Sequence, residues 1–377
     1  MANFYTDNAD LQFYMNKGVD WPPLIKAAEF PNTDFDNSEM LESYKQVMEL
    51  LGAFSGDQIA PFTREIDRQE MHVVDGEIIT APRMQAISDT AAELDLHALC
   101  LPEELGGMNC PIMLYYLNVE LLARGDCSTM SHFGFHTGIA MCLLLWSIDE
   151  GSAVIDPQSF KLLSSRWDAD IERIRKGLDW GSMDLTEAHA GSDLANIRSY
   201  AKLDEQGEWR VTGSKIFISS GHGKYHIVIA RSEDPETHPG LAGLSLYLVR
   251  AFSEDENGKR VRHSVLERID EKLGHHGSAT VTITFEESPA ELIGGRGDGF
   301  KLMLMLMNNA RIAVGFESIG LCESALRMAK AYAAERPSMG KSIDKHEMIA
   351  DLIDEMEVDI LGMRALAVRA GHNEELS

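Results

Sequence analysis

Two stretches decide how this chain folds: Leu185-Thr-Glu-Ala-His-Ala-Gly-Ser-Asp-Leu194 and Trp209-Arg-Val-Thr-Gly-Ser-Lys-Ile-Phe-Ile-Ser-Ser-Gly221. Each reads as a strand edge beside a turn of small residues. Gly191 and Ser192 offer unobstructed backbone N–H groups and one hydroxyl, which suits a pyrophosphate. Phe217 and Ser219 alternate along a strand, so an aromatic plane and a hydroxyl point the same way. Any β-hairpin needs glycines, and Gly191 and Gly213 could each be no more than turns. Their joint order and separation is what argues for a flat, phosphate-bearing cofactor.

Working outward, the periodicity changes on both sides. From about 38 to 176 the apolar spacing is helical, with Met40, Leu41, Tyr44, Val47, Met48 and Leu51 in an i, i+3, i+4, i+7 pattern. Residues 112–123 and 131–146 continue it. From Trp180 to about Ile293 short β-branched and aromatic runs alternate, bounded by turns such as Glu205-Gln-Gly-Glu208, and predict a compact antiparallel β domain. From Phe300 the helical period returns and runs to about Arg336, some 50 Å at about 1.5 Å per residue. A break at Pro337-Ser-Met-Gly340 precedes a second helix over about 346–370. The expected class is α+β. A helical domain with an extended N-terminal arm covers 1–179, a β-barrel-like domain 180–296, and the start of a helical bundle 297–377.

The 377 residues carry 60 acidic and 34 basic side chains, a formal charge of −26. Such a balance argues against a nucleic-acid surface or an anionic membrane, though local cations can still hold an anionic ligand. Five cysteines without a CxxC spacing read as reduced core thiols. The N-terminus lacks a basic and an apolar region, and the apolar run at Leu302–Met307 is too short to span a bilayer. A cytoplasmic protein without membrane insertion is expected. The Gly-rich segment Gly294-Gly-Arg-Gly-Asp-Gly-Phe300 lacks the GxGxxG spacing of a Rossmann NAD enzyme. His275 and His276 are adjacent, face opposite ways on a strand, and predict no metal site.

In these segments, and in the order helix, sheet, helix, the sequence resembles the acyl-CoA dehydrogenase family, most of all the branch containing 3-methylmercaptopropionyl-CoA dehydrogenase. The resemblance implies an FAD site with Leu185 and Thr186 against the isoalloxazine ring, Gly191 and Ser192 at phosphates, and Phe217 and Ser219 packing beside the flavin. Ala188 stands where the family usually has Pro. Ser192 and Asn308 would contact the CoA substrate, and Arg311, among apolar residues, would hold the active-site side of the long helix. Arg336 would reach the neighbouring flavin's pyrophosphate, which implies a homo-oligomer. An acyl-CoA substrate and an electron-transferring flavoprotein as partner follow from the same likeness.

The reaction implied is α,β-dehydrogenation of an acyl-CoA, with a glutamate as base. A few members place that base just before the Arg matched by Arg311, where this chain has Ala310. Glu317 is two helical turns further on, roughly 10 Å along the axis, too far to substitute. The usual glutamate lies further along the bundle than Ser377, so no catalytic residue is assigned. Leu302, Leu304, Leu306, Ile312, Val314 and Ile319 circle most of the long helix and require further helices. A truncated copy of a longer enzyme is therefore expected, or a chain completed by a partner. The rival readings are a non-catalytic flavin-binding subunit and an acyl-CoA oxidase.

Overall fold

The computed structural model describes residues 2–377, with the backbone alone at Phe135. The alternating runs of the middle region form one seven-stranded sheet: β1 (Gly181–Asp184), β2 (Tyr200–Leu203), β3 (Trp209–Ser219), β4 (Tyr225–Arg231), β5 (Leu244–Arg250), β6 (Val265–Ile269) and β7 (Thr280–Ile293). Following the pairings from β7 through β3, β2, β4 and β5 returns to β7, so five strands close a ring. The antiparallel pairings expected from sequence dominate. β1 adds a parallel pairing with β4, and one parallel pair, Tyr200 with Arg231, joins β2 to β4.

The period of two explains where each face goes. Val228, Ala230, Tyr247, Val249, Val281, Ile283 and Phe285 turn to one fully buried face. Ile227, Ile229, Leu246, Leu248 and Ile293 turn to the other, where Ile139, Leu143 and Trp146 and then Leu302, Met303 and Leu306 cover them. Both faces of β4 and β5 are thus apolar, which is why these strands read as unbroken apolar runs. Gly213 is no turn. It sits within β3, where a Cβ would come within 2.1 Å of Ser199 Oγ, so glycine is needed for close strand packing.

The longest helices are α1 (Asn37–Ala53), α2 (Ile112–Gly125), α3 (Cys127–Asp149), α4 (Gly299–Glu335) and α5 (Glu347–Glu375). α1 begins because the Asp36 carboxylate accepts from the N–H groups of Ser38 and Glu39. α4 ends at a two-residue turn in which Met339 and Gly340 both take positive φ, joining Pro337–Ser338 to Lys341–Ser342. α5 runs five residues beyond the periodic stretch because the Glu375 carboxylate accepts the orphan N–H groups of Ile112 and Met113 at 2.8 and 3.0 Å. By length and composition α3 is apolar enough to cross a membrane, a feature the sequence reading missed. Of its apolar window 65% is buried inside the protein, as in a core helix.

In space the chain groups into two compact units. A helical unit holds Met1–Arg64, Asn109–Met130 and Asn309–Ser377, and the sheet-containing unit holds Glu65–Met108 and Ser131–Asn308. The helical unit is tied by a buried charge cluster. Arg364, fully enclosed, donates to Glu120 at 2.8 Å, Glu323 at 3.1 Å and Asp10 at 2.6 Å. Arg124 pairs with Asp7, and Arg327 with Glu323 and Asp7. These bonds fasten the N-terminal segment to α2, α4 and α5.

Candidate functional site

Six of the residues expected to touch a cofactor come together in the sheet-containing unit. The chain leaves β1 at Asp184, passes Leu185 and Thr186, and doubles back in a tight turn where Glu187 and Ala190 exchange N–H···O bonds at 3.0 Å. The Thr186 carbonyl accepts from Ile216 N–H on β3 at 2.9 Å, which lays the two segments side by side. Leu185 packs on the core, Thr186 is half-buried, and Gly191 and Ser192 are exposed just beyond the turn.

What fixes this alignment is a pair of residues that the sequence reading passed over. Lys215 is fully buried on β3, and its ammonium donates to the Leu185 carbonyl at 3.1 Å and to Glu187 Oε1 at 2.9 Å. Glu187 also accepts from the N–H groups of Arg198 and Ser199. Burial lowers the Lys215 pKa, with the Glu187 charge opposing. Burial likewise opposes ionisation of Glu187, but Lys215 and the N–H donors outweigh it and hold its carboxyl below the usual range. A signal for the pair existed: Lys215 shares the inward register of Val211 and Gly213, and a charge there needs a partner.

β3 carries a bulge opposite β7, with the register shifting between Lys215 and Ile218. At the bulge Phe217 takes φ 60° and is 62% exposed. Its N–H faces the Asp270 carboxylate at 3.3 Å. Ile218 turns inward, so Phe217 and the half-buried Ser219 share the outer side, as the alternation predicts. The left-handed backbone at this non-glycine residue costs about 1–3 kcal/mol, and the aromatic plane it carries stands exposed.

Behind Ser219 the sheet meets a group of imidazoles. His132 Nδ1 lies 3.4 Å from Ser220 Oγ, and the His132 ring packs within 5.5 Å of His136 and His222. His97 packs on His136, and Trp180 stacks on His136 with planes 5° apart. Burial pushes His97 and His132 down to about 4, and His136 and His222 well below the ordinary histidine value. The group is therefore neutral at pH 7.

The remaining expected residues sit on the long helix and after it. Asn308 is exposed on α4. Arg311 belongs to the helical unit and is exposed. Arg336, also exposed and in that unit, donates to the Tyr332 hydroxyl at 3.0 Å. Half-buried Glu317 has its carboxyl raised to about 7 by burial, and Cys127 nearby is pushed up to about 12 by burial and then by Glu317 and Asp126. His275 and His276 lie in the loop before β7 rather than on a strand, with His276 bonded to Asp67 at 2.7 Å.

Residues 42–150 match the acyl-CoA dehydrogenase N-terminal domain, 182–288 its middle domain and 297–375 its C-terminal domain. The chain belongs to the acyl-CoA dehydrogenase family. Acyl-CoA dehydrogenases and their structural neighbours are FAD-binding flavoproteins. The chain is 26% identical to 3-methylmercaptopropionyl-CoA dehydrogenase of Ruegeria pomeroyi over 96% of its own length, and spans 60% of that relative. It is 27% identical to the acryloyl-CoA reductase (NADH) of Anaerotignum propionicum, over 93% of this chain and 80% of the relative. Among solved acyl-CoA dehydrogenase folds, butyryl-CoA dehydrogenase from Megasphaera elsdenii superposes with a TM-score of 0.71 at 22% identity, over 91% of this chain and 81% of that one.

The residues present fit the family's flavin. A Cβ built on Gly191 would meet only the Thr186 methyl, at 3.9 Å, so the backbone there is open to a ligand. Phe217 supplies the exposed plane and Thr186 and Ser219 the hydroxyls.

Proposed function

We propose that this protein binds FAD and acts as an acyl-CoA dehydrogenase, converting an acyl-CoA to the 2-enoyl-CoA and passing electrons to an electron-transferring flavoprotein. FAD would supply the hydride acceptor. Leu185, Thr186, Phe217 and Ser219 would seat its ring system, and the N–H groups at Gly191 and Ser192 its phosphates. Ser192 and Asn308 would contact the CoA part of the substrate, and Arg311 would hold the substrate side of α4. Arg336 would reach a second copy's cofactor, in a cytoplasmic homo-oligomer. The observation that carries this reading is the pinned pair of segments: Thr186 bonded to Ile216, Lys215 to Glu187, and Phe217 held outward between them.

A second reading, a non-catalytic flavin-binding subunit paired with a catalytic homologue, is favoured by Ala310 at one of the two places where the family carries its base. One experiment separates the two. The chain is loaded with FAD and mixed anaerobically with butyryl-CoA, octanoyl-CoA and 3-methylmercaptopropionyl-CoA. Loss of the oxidised flavin's visible absorbance with at least one of them supports the dehydrogenase. A flavin that is bound but never bleached supports the subunit reading, and no bound flavin overturns both. Peroxide release without an acceptor would point instead to an oxidase.

A further inference from the structure

Beside the flavin segments, but lined by other residues, the sheet-containing unit has a partly open pocket of about 160 Å³. Its lining includes Ser264, His226, His222, Trp180, Lys224 and Arg260. Ser264 sits in the irregular joint between the short strand Arg260–Arg262 and β6, and is 3% exposed. Its hydroxyl lies 3.3 Å from His226 Nε2. On the other side of the same imidazole, Nδ1 is 3.1 Å from Ser182 Oγ and 3.2 Å from Asp184 Oδ2. Ser182, Asp184 and His226 are all fully buried.

The hydrogen bonds fix the proton positions. Ser182 Oγ donates to the Asp184 carboxylate at 2.6 Å, and that carboxylate can only accept. The Ser182 oxygen must then accept from His226, so Nδ1 carries the ring proton. Nε2 is left with its lone pair toward Ser264, the arrangement that lets an imidazole take a proton from a hydroxyl.

We propose that Ser264 is the nucleophile of a second site, one that hydrolyses small, unhindered carboxylic esters. Ser264 Oγ attacks the ester carbonyl while its proton passes to His226 Nε2. The bond to the alcohol oxygen breaks, and the alcohol leaves with that proton. Water from solvent then attacks the acyl-serine, giving its proton to Nε2. The carboxylic acid departs as the proton returns to Ser264, so nothing is oxidised or reduced. Ser264 is almost wholly covered, so a small, unhindered ester reaches its hydroxyl more readily than a bulky one. Ser182 and Asp184 are positioning residues, acting through the ring of His226.

The test uses the full chain with p-nitrophenyl acetate and a fluorophosphonate probe, and none of its readouts involves the flavin. Peptide mapping is expected to find the phosphonate on Ser264, and Ser264→Ala or His226→Gln to lower turnover by about a hundredfold. Asp184→Asn is expected to shift the pH–rate profile, which a merely structural contact would leave in place. An unlabelled Ser264 in folded protein, or turnover unchanged in Ser264→Ala, overturns the proposal. Should Ser264→Ala fail to fold, Ser264→Cys gives a second reading. Iodoacetamide should alkylate the introduced thiol faster with His226 intact than with His226→Gln added, and equal rates overturn the proposal.

Discussion

At the scale of single residues, conformation and chemistry can be separated at Phe217. Its positive φ is a cost that glycine would not bear, and at 62% exposure the ring buries little of its own area. Phe217→Gly is therefore expected to leave thermal stability within about 1 kcal/mol of the parent while weakening FAD binding about tenfold, read by melting and by flavin titration. Lys215→Met does the opposite kind of damage. It leaves Glu187 buried without a cation, a loss of about 3–5 kcal/mol, and frees the turn that carries Gly191. Urea unfolding should show the loss even without flavin.

Glu317 gives a prediction with a definite sign. Burial raises its carboxyl to about 7, so the folded state holds a proton that the unfolded chain has released near its ordinary value of 4.5. The carboxyl is neutral at pH 4, and its penalty grows as pH rises from about 4.5 to 7. Glu317→Gln should accordingly stabilise the protein at pH 8 and not at pH 4. With more than a third of the group open to solvent, the gain is about 1–2 kcal/mol. Urea midpoints at the two pH values check it, and an equal effect at both would refute the assignment.

At the scale of elements, what was legible in the sequence is what is local. The spacing of Tyr44, Met48 and Leu51 specifies α1, and short runs of β-branched and aromatic residues mark β3, β4 and β5. The β-branched and aromatic run that marks β7 stops at Phe285. The strand's second half, through Ile293, pairs with β5 and not β6, and no short window contains that information. The flavin segments were legible as motifs. Their fastening was not, because Glu187 and Lys215 lie 28 positions apart. The imidazole group was hidden for the same reason, drawing on positions 97, 132, 136 and 222.

That group makes α3 acid-sensitive. His97 and His132 are held near 4 against an ordinary 6.5, so the unfolded chain binds protons that the fold refuses. Stability from these residues is complete above about 6.5 and falls as pH drops toward 4, by about 3 kcal/mol for each fully enclosed ring. His136→Phe removes two nitrogens that have no hydrogen-bond partner among the described residues, and keeps the plane stacked on Trp180. Its urea midpoint should fall less between pH 7 and pH 5 than that of the parent.

At the scale of the whole molecule, α4 and α5 each show two apolar faces. One is buried, and on the other Val314, Leu321, Met328 and Tyr332 of α4 and Met348, Leu352 and Leu366 of α5 stand exposed. The α4 residues recur at seven, seven and four positions, a spacing that presents one continuous seam. The proposed homo-oligomer would cover such a seam. Sedimentation is expected to give a mass above 41.8 kDa, and Leu321→Glu with Met328→Glu to lower it. An unchanged mass would remove this seam from the interface.

The closed ring of strands also sets a timetable for biosynthesis. The turn at Gly191 emerges early, but β7, which locks β3 and β5 together, ends at Ile293. About a hundred residues separate the two, some 5–20 s of translation at 5–20 residues per second. For the later part of that interval, once Ser219 has been made, the nascent chain exposes β3 and its outward phenylalanine with one neighbour missing. A ribosome stalled before residue 280 should hold a chain that chaperones and proteases recognise, and one stalled well past 293 a chain they ignore.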